Sequence, residues 1–270
     1  MSDSPDPGWR DADRSSNFDF MLEVLDHSDT WAPLVNTRRA LYRALRPRPG
    51  ARMLDVGCGT GIDVAALARL VQPGGSVHGI DLSERMTSIA EERYGNVAGV
   101  SFGTGTAEGI PFPESEFDAS FSIRTLQYLD DAVPSLREMA RVTKPGGRLA
   151  VVEGAMSVMD LPMPELADRI MAQAWGVRTH GFASELYRLL CEAGLIRVRV
   201  IPVATAEYEA YPYFLKYALE AADGAVEAGV ATEQEVSEWR RQVEARVAKG
   251  WFSADCLFIA IGTVPKPRKR

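Results

Sequence analysis

The sequence predicts an α/β protein: seven strands in a parallel sheet covered by helices, organised as one domain. Three observations lead there. From residue 51 onward, short apolar runs alternate with helical patterns, the signature of strand–helix–strand units. A glycine-rich turn ends the first of these runs and opens a helix, as at the ligand-binding edge of such sheets. The chain has 270 residues, 46% of them hydrophobic and 25% charged, which is near the upper size that a single core organises.

Taken in order, residues 1 to 16 are rich in Ser, Asp, Pro and Gly without apolar periodicity, and are expected to form a disordered tail until something binds them. Phe18, Met21, Leu22 and Leu25 fall at helical spacing, and Leu34, Leu41 and Leu45 mark a second helix over 35 to 46. Strands are expected near 52–56, 76–80, 99–103, 117–123, 147–153, 196–204 and 255–263, with helices near 61–71, 84–94, 134–142 and 183–193. Two segments exceed what the connections need. Residues 160–176 carry Leu166, Ile170, Ala174 and Trp175 at helical spacing. Residues 205–250 hold two more helices, the second started by a capping box of Thr232 and Glu235. The last residues, 265–270, form a basic tail interrupted by proline.

Charge and targeting bound the partners. Lys+Arg number 30 and Asp+Glu 37, a formal charge of −7, which argues against a sequence-independent nucleic-acid binder. No apolar run approaches a membrane span and the start lacks a signal-peptide core, so a cytoplasmic location is expected. Cys58, Cys191 and Cys256, like His27, His78 and His180, are dispersed, so neither a disulfide framework nor a structural zinc site is expected.

The chemistry concentrates in Leu54-Asp55-Val56-Gly57-Cys58-Gly59-Thr60-Gly61. Alternate glycines let backbone approach a ligand closely. Asp81 follows at the end of the second strand, where a carboxylate can accept both hydroxyls of a ribose. The dinucleotide pattern would put its third glycine at Ile62, so the turn reads G-x-G-x-G instead. Asp55 is a poor neighbour for pyrophosphate and a good one for an ammonium group. The expected ligand is a nucleoside with an amino-acid tail.

At these residues the chain resembles the class I S-adenosylmethionine (SAM) dependent methyltransferases, in their small-molecule, type 11 and UbiE-like branch. The turn Gly105-Thr106-Ala107-Glu108, the pair Phe117-Asp118, and the stretches Arg124-Thr125-Leu126-Gln127-Tyr128 and Arg141-Val142-Thr143-Lys144-Pro145-Gly146-Gly147-Arg148 match further family motifs in order. The resemblance covers residues 35 to 204 closely. It implies a Rossmann-like, doubly wound, mostly parallel sheet whose last strand is antiparallel; the apolar stripes of the extra segments and the glycine-containing joints around 154–160 and 223–231 predict a helical lid made of segments 17–31, 160–176 and 205–250, in a single domain over 17–264. It implies SAM as cofactor, held by Asp55, Gly57, Cys58, Gly59, Gly61, Asp81, Leu82, Met86, Thr106, Ala107, Glu108 and Ser122, with Met86 on the adenine. Thr106 stands where the family commonly has Asp, so the adenine amino contact loses charge assistance or passes to Glu108.

Methyl transfer is an in-line displacement in which the protein aligns the nucleophile and excludes water. A base is needed only for a hydroxyl or an acidic carbon. His180 is the candidate base, and Arg124, ending the fourth strand, the second candidate catalytic residue; Glu153, ending the fifth, either faces the acceptor or caps a neighbouring helix. Ser122-Ile123-Arg124-Thr125 lacks the Pro-Pro-aromatic stretch of polymer N-methylation, and no cysteine lies between 59 and 190 to serve as a pyrimidine nucleophile. Aromatic and methionine residues of the extra segments, among them Trp31, Met171, Trp175, Tyr211 and Tyr213, are candidates to line an apolar acceptor pocket. The acceptor is therefore expected to be a small, largely apolar metabolite methylated on O, N or C. With five lysines among the 30 basic residues, the arginine-rich composition points to a bacterial biosynthetic or natural-product role. A homodimer is the candidate assembly. The alternatives are a SAM-binding enzyme of the same fold that does not methylate, such as a cyclase, and a nicotinamide oxidoreductase.

Overall fold

The computed structural model describes residues 8–175, 179–209 and 212–267. One sheet contains β1 (Arg52–Val56), β2 (Ser76–Asp81), β3 (Val100–Thr104), β4 (Phe117–Ile123), β5 (Thr143–Met159), β6 (Ile196–Glu207) and β7 (Ser253–Thr263). Their order is β3-β2-β1-β4-β5-β7-β6. Neighbours from β3 to β5 run parallel, while β7 lies antiparallel between β5 and β6. This is the Rossmann-like sheet with a reversed last strand that the sequence led us to expect. The strand order turns back between β1 and β4, and ligands of such sheets bind in the crevice beyond the strand ends at that switch.

Apolar faces explain why the helices cover the sheet. Helices α1 (Phe18–Ser28), α2 (Ala32–Leu45), α3 (Ile62–Val71), α4 (Glu84–Tyr94), α5 (Val133–Val142), α6 (Pro164–Trp175), α7 (Thr179–Glu192), α8 (Pro212–Glu227) and α9 (Glu233–Val247) complete the described elements. One core, around Leu54, Val56, Leu136, Leu149 and Leu186, fills the face under α5 and α7. The other, around Leu41, Met53, Leu67, Phe121 and Ile259, fills the face under α2 and α3. Ser83 caps α4 by accepting the Met86 N–H at 3.0 Å. Thr232 and Glu235 form the capping box expected at α9. No helix among the described residues is long and apolar enough to cross a membrane.

Three features differ from the sequence reading. The fifth strand runs on to Met159 rather than stopping at 153, because a register shift beside Gly154 interrupts the apolar alternation without ending the ladder with β7. Residues 8–14, read as tail, form two short 3-10 helices, Gly8–Arg10 and Ala12–Arg14, tied down at several points. Trp9 stacks on Tyr128, Arg10 pairs with Asp130 at 2.9 Å, and Ala12 is buried with Phe18, Met21 and Met86. Asp13 accepts from the Ser83 hydroxyl and from the Glu84 N–H at 2.8 Å, so the strap holds the start of α4.

The third difference concerns the lid. Helices α6, α8 and α9 bury their stripes against one another around Leu166, Ile170, Ala222 and Trp239, as a core of their own. The described residues of 160–176 and 205–250 line no part of the cavity described below; of the three expected lid segments, only 17–31 does. The apolar stripes that suggested a pocket wall are satisfied within the helical unit. Tyr211 and the side chains of Trp175 and Tyr213 lie outside the described residues, as do residues 268–270 of the basic tail.

Candidate active site

A cavity of about 460 Å³ opens at the C-terminal ends of β1, β2 and β4. Asp55, one residue before the end of β1, is only 2% exposed, and its Oδ1 has no hydrogen-bond partner among the described residues. Burial pushes its carboxyl well above the usual range, and the nearby Asp63 and Asp81 push it further, against the pull of Arg38. A buried acid with an unpartnered oxygen on a cavity wall is a socket for a cation that donates hydrogen bonds.

The turn after β1 depends on glycine. Gly57 has φ +78°, and a Cβ there would overlap the Thr125 side chain. Gly59 has φ +49° and donates its N–H to Asp81 Oδ2 at 2.8 Å. Asp81 Oδ1 takes the Ser83 N–H at 3.0 Å, which leaves acceptor capacity on both oxygens. Burial raises the Asp81 carboxyl, opposed by the Ser83 and Gly59 N–H bonds. Cys58 is buried in the same turn, and burial pushes its thiol far up, so it stays protonated.

Most of the sequence-derived residues meet here. Asp55, Gly57, Cys58, Gly59, Asp81, Leu82, Met86, Thr106, Ala107, Glu108 and Arg124 all line the cavity. Two of the set do not. Gly61 has φ +86° and caps α3, and a Cβ there would come within 2.6 Å of the Phe102 ring, so it serves packing. Ser122 is fully buried on β4, with an unpartnered Oγ, behind the cavity wall. His180 is in the first turn of α7, but its side chain lies outside the described residues. Glu153 takes the capping role: its Oε1 accepts the N–H groups of Thr125 and Leu126 where a 3-10 turn, Leu126–Tyr128, begins.

Of the opposite wall, sequence reasoning anticipated only α1, within the expected lid segment 17–31. Trp9, Val24 and Leu25 line the cavity from the strap and α1. Asp29, Arg38 and Asp63 line it as a network in which the Arg38 guanidinium sits between the two carboxylates at 3.0 Å each, and the Tyr42 hydroxyl donates to Asp63 at 2.5 Å. Burial and the adjoining Asp63 hold the Tyr42 hydroxyl far above its ordinary range. Arg38 and Asp63 are 25 residues apart, so no local spacing announces the pair. Counting charged lining residues, Asp29, Asp55, Asp63, Asp81, Glu108 and Asp130 face Arg10, Arg38 and Arg124, an excess of acid suited to a cationic ligand.

A model of the methyltransferase-domain family matches residues 54–151. Among curated proteins, the chain is 32% identical to a demethylmenaquinone methyltransferase of Staphylococcus aureus over 181 residues, covering 60% of this chain and 75% of the relative. It is 29% identical to an uncharacterized 37.1 kDa transposon protein of Streptomyces fradiae over 251 residues, 89% of this chain and 70% of the relative. Among solved structures, the [4+2]-cyclase SpnF shares the fold with a TM-score of 0.54 at 23% identity, over 87% of this chain and 82% of that one. The unpartnered Asp55 oxygen, the glycine turn and Asp81 fit an adenosyl ligand with an ammonium-bearing tail, and the chain belongs to the class I SAM-dependent methyltransferases, in the branch of the demethylmenaquinone enzymes, with SAM as its cofactor.

Proposed function

We propose that this methyltransferase acts on O, N or C of a small, largely apolar metabolite, in a bacterial biosynthetic or natural-product pathway. The observation that carries the reading is the mixed lining of the cavity. An acidic side around Asp55 and Asp81 is continuous with an apolar and aromatic side made by Trp9, Val24, Leu25, Ile123, Tyr128 and Leu129. The first suits the cofactor and the second a greasy acceptor. The names of the staphylococcal relatives, which methylate demethylmenaquinone, support a ring-bearing acceptor of that kind.

In this reading Asp55 accepts the cofactor's ammonium group, Asp81 its ribose hydroxyls, and Met86, Thr106, Ala107 and Glu108 surround the adenine. SAM supplies the electrophilic methyl together with its leaving group. The chain itself orients the acceptor and keeps water out. Arg124 is the residue proposed to face the acceptor: it lines the cavity with its backbone at φ +56°, and its guanidinium makes no hydrogen bond or ion pair among the described residues. A left-handed non-glycine residue beside a cavity is a strained position of the sort found at functional sites. His180 is the proposed base for a hydroxyl acceptor, positioned by the start of α7.

The test is transfer of labelled methyl from SAM to a panel of naphthoquinols, phenols, amines and β-dicarbonyl compounds. Labelled product with stoichiometric S-adenosylhomocysteine (SAH) is expected for at least one apolar ring acceptor. His180→Ala should then lower turnover about 100- to 10,000-fold for a hydroxyl acceptor at unchanged SAH affinity. Acceptors that rearrange while SAM remains unconsumed would replace methylation with a cyclase-type reaction.

A further inference from the structure

The turn after β4 joins the two halves of the cavity. The Arg124 N–H donates to Val152 O at 2.7 Å, and the next two backbone N–H groups, of Thr125 and Leu126, converge on a single atom, Glu153 Oε1, at 3.0 and 2.7 Å. The Thr125 side chain in turn rests on the cofactor turn: its hydroxyl lies 3.4 Å from Gly57 O and 3.3 Å from Ile123 O, where it can donate. Arg124, Thr125 and Tyr128 line the cavity, whereas Glu153 sits behind them at 0% exposure, just before the shift in the β5 ladder. Its second oxygen, Oε2, has no hydrogen-bond partner among the described residues.

We propose that Glu153 is a positioning residue of the methyl-transfer site: through Thr125 it clamps the acceptor-side turn onto the Gly57 turn that receives the cofactor. The proposal rests on the reading of the cavity as the SAM site. Arg124 is held left-handed between a strand bond on one side and two N–H groups tied to one carboxyl on the other.

The protonation state follows from the surroundings. A wholly buried carboxylate with one oxygen unpartnered bears a desolvation cost that the neutral acid escapes. Burial first, opposed by the Leu126 and Thr125 N–H bonds and by the Arg124 charge, pushes the group up to about 8. Among the described residues, the charged and titratable groups facing it are Arg124 and Tyr128 of the same turn. At neutral pH Glu153 is therefore the uncharged acid, with Oε1 free to take both N–H groups. In either protonation state Oε1 accepts both N–H groups, and the charged form accepts them more strongly, so the clamp does not depend on ionisation.

The experiment is calorimetric titration of SAH into the parent, Glu153→Gln and Glu153→Ala at pH 7, with amide exchange of the 124–129 stretch and a thermal melt of each protein. Glutamine keeps an accepting oxygen at the same place, so it should bind SAH within about threefold of the parent. Alanine should bind about tenfold or more weakly, with faster exchange at Thr125 and Leu126. Alanine binding as tightly as the parent, or glutamine as weakly as alanine, would each overturn the proposal. A parent that does not bind SAH overturns the cofactor reading and the proposal with it, whereas a binding parent with an indifferent alanine variant removes only the role of Glu153.

Discussion

Asp55→Asn should trade cofactor affinity for stability, and both sides of the trade follow from one buried oxygen. In the parent, Oδ1 is unpartnered and the carboxyl is raised by burial, then by Asp63 and Asp81. In the proposed site the cofactor's ammonium supplies the missing partner. A hydrogen bond to a charged group is worth about 1.5–3 kcal/mol, so asparagine should weaken SAH binding roughly 10- to 150-fold. Without ligand the sign reverses. A carboxyl whose folded value lies above its unfolded one contributes stability that is complete below the unfolded value and is lost as pH rises through the folded one. At neutral pH the ligand-free parent bears that loss and the asparagine variant does not. The variant should unfold at higher urea, by on the order of 1–3 kcal/mol, with the gap closing as the pH falls below 4. Because the ammonium favours ionised Asp55, SAH binding to the parent should release a proton, seen as a buffer-dependent binding enthalpy that the variant lacks. Equal SAH affinity in the two proteins, or a less stable ligand-free variant at pH 7, would refute the reasoning.

Gly57→Ala should lower stability by about 1–2 kcal/mol from the left-handed backbone alone, and further because its Cβ overlaps Thr125; a thermal melt with SAH titration measures it, and a variant unchanged in both would show that the turn can relax. Arg38→Met leaves Asp29 and Asp63, whose side chains are 19% and 8% exposed, without their shared cation. Urea unfolding should show a loss of about 3–5 kcal/mol, and a change under about 1 kcal/mol would mean that water replaces the guanidinium.

The residues legible in advance were those whose role is local. The glycine turn from Gly57 to Gly59 and the acid Asp81 announce themselves by spacing, and Thr232 with Glu235 announces a helix start in four residues. What stayed hidden depends on partners far along the chain. Asp13 finds Ser83 across 70 positions and Arg10 finds Asp130 across 120, so a segment that looks like solvated tail becomes a cavity wall. Ser122 illustrates a different failure: its place near the end of β4 is right for a ligand, but its side chain is sealed inside. The stripes of α6, α8 and α9 misled because an apolar helix face tells that something covers it, not what.

That helical unit has a thermodynamic consequence. Its core, from Leu166 to Val243, shares no buried residue with the two cores that flank the sheet, and it hangs from the far ends of β5, β6 and β7. Cooperativity in a protein extends as far as its contacts are shared, and units joined mainly through backbone can open separately. A single unfolding midpoint would then average two events. Amide protection near Trp239 should be lost at a lower free energy than protection near Phe121, while the fold around Asp55 and Asp81 keeps its grip on the ligand.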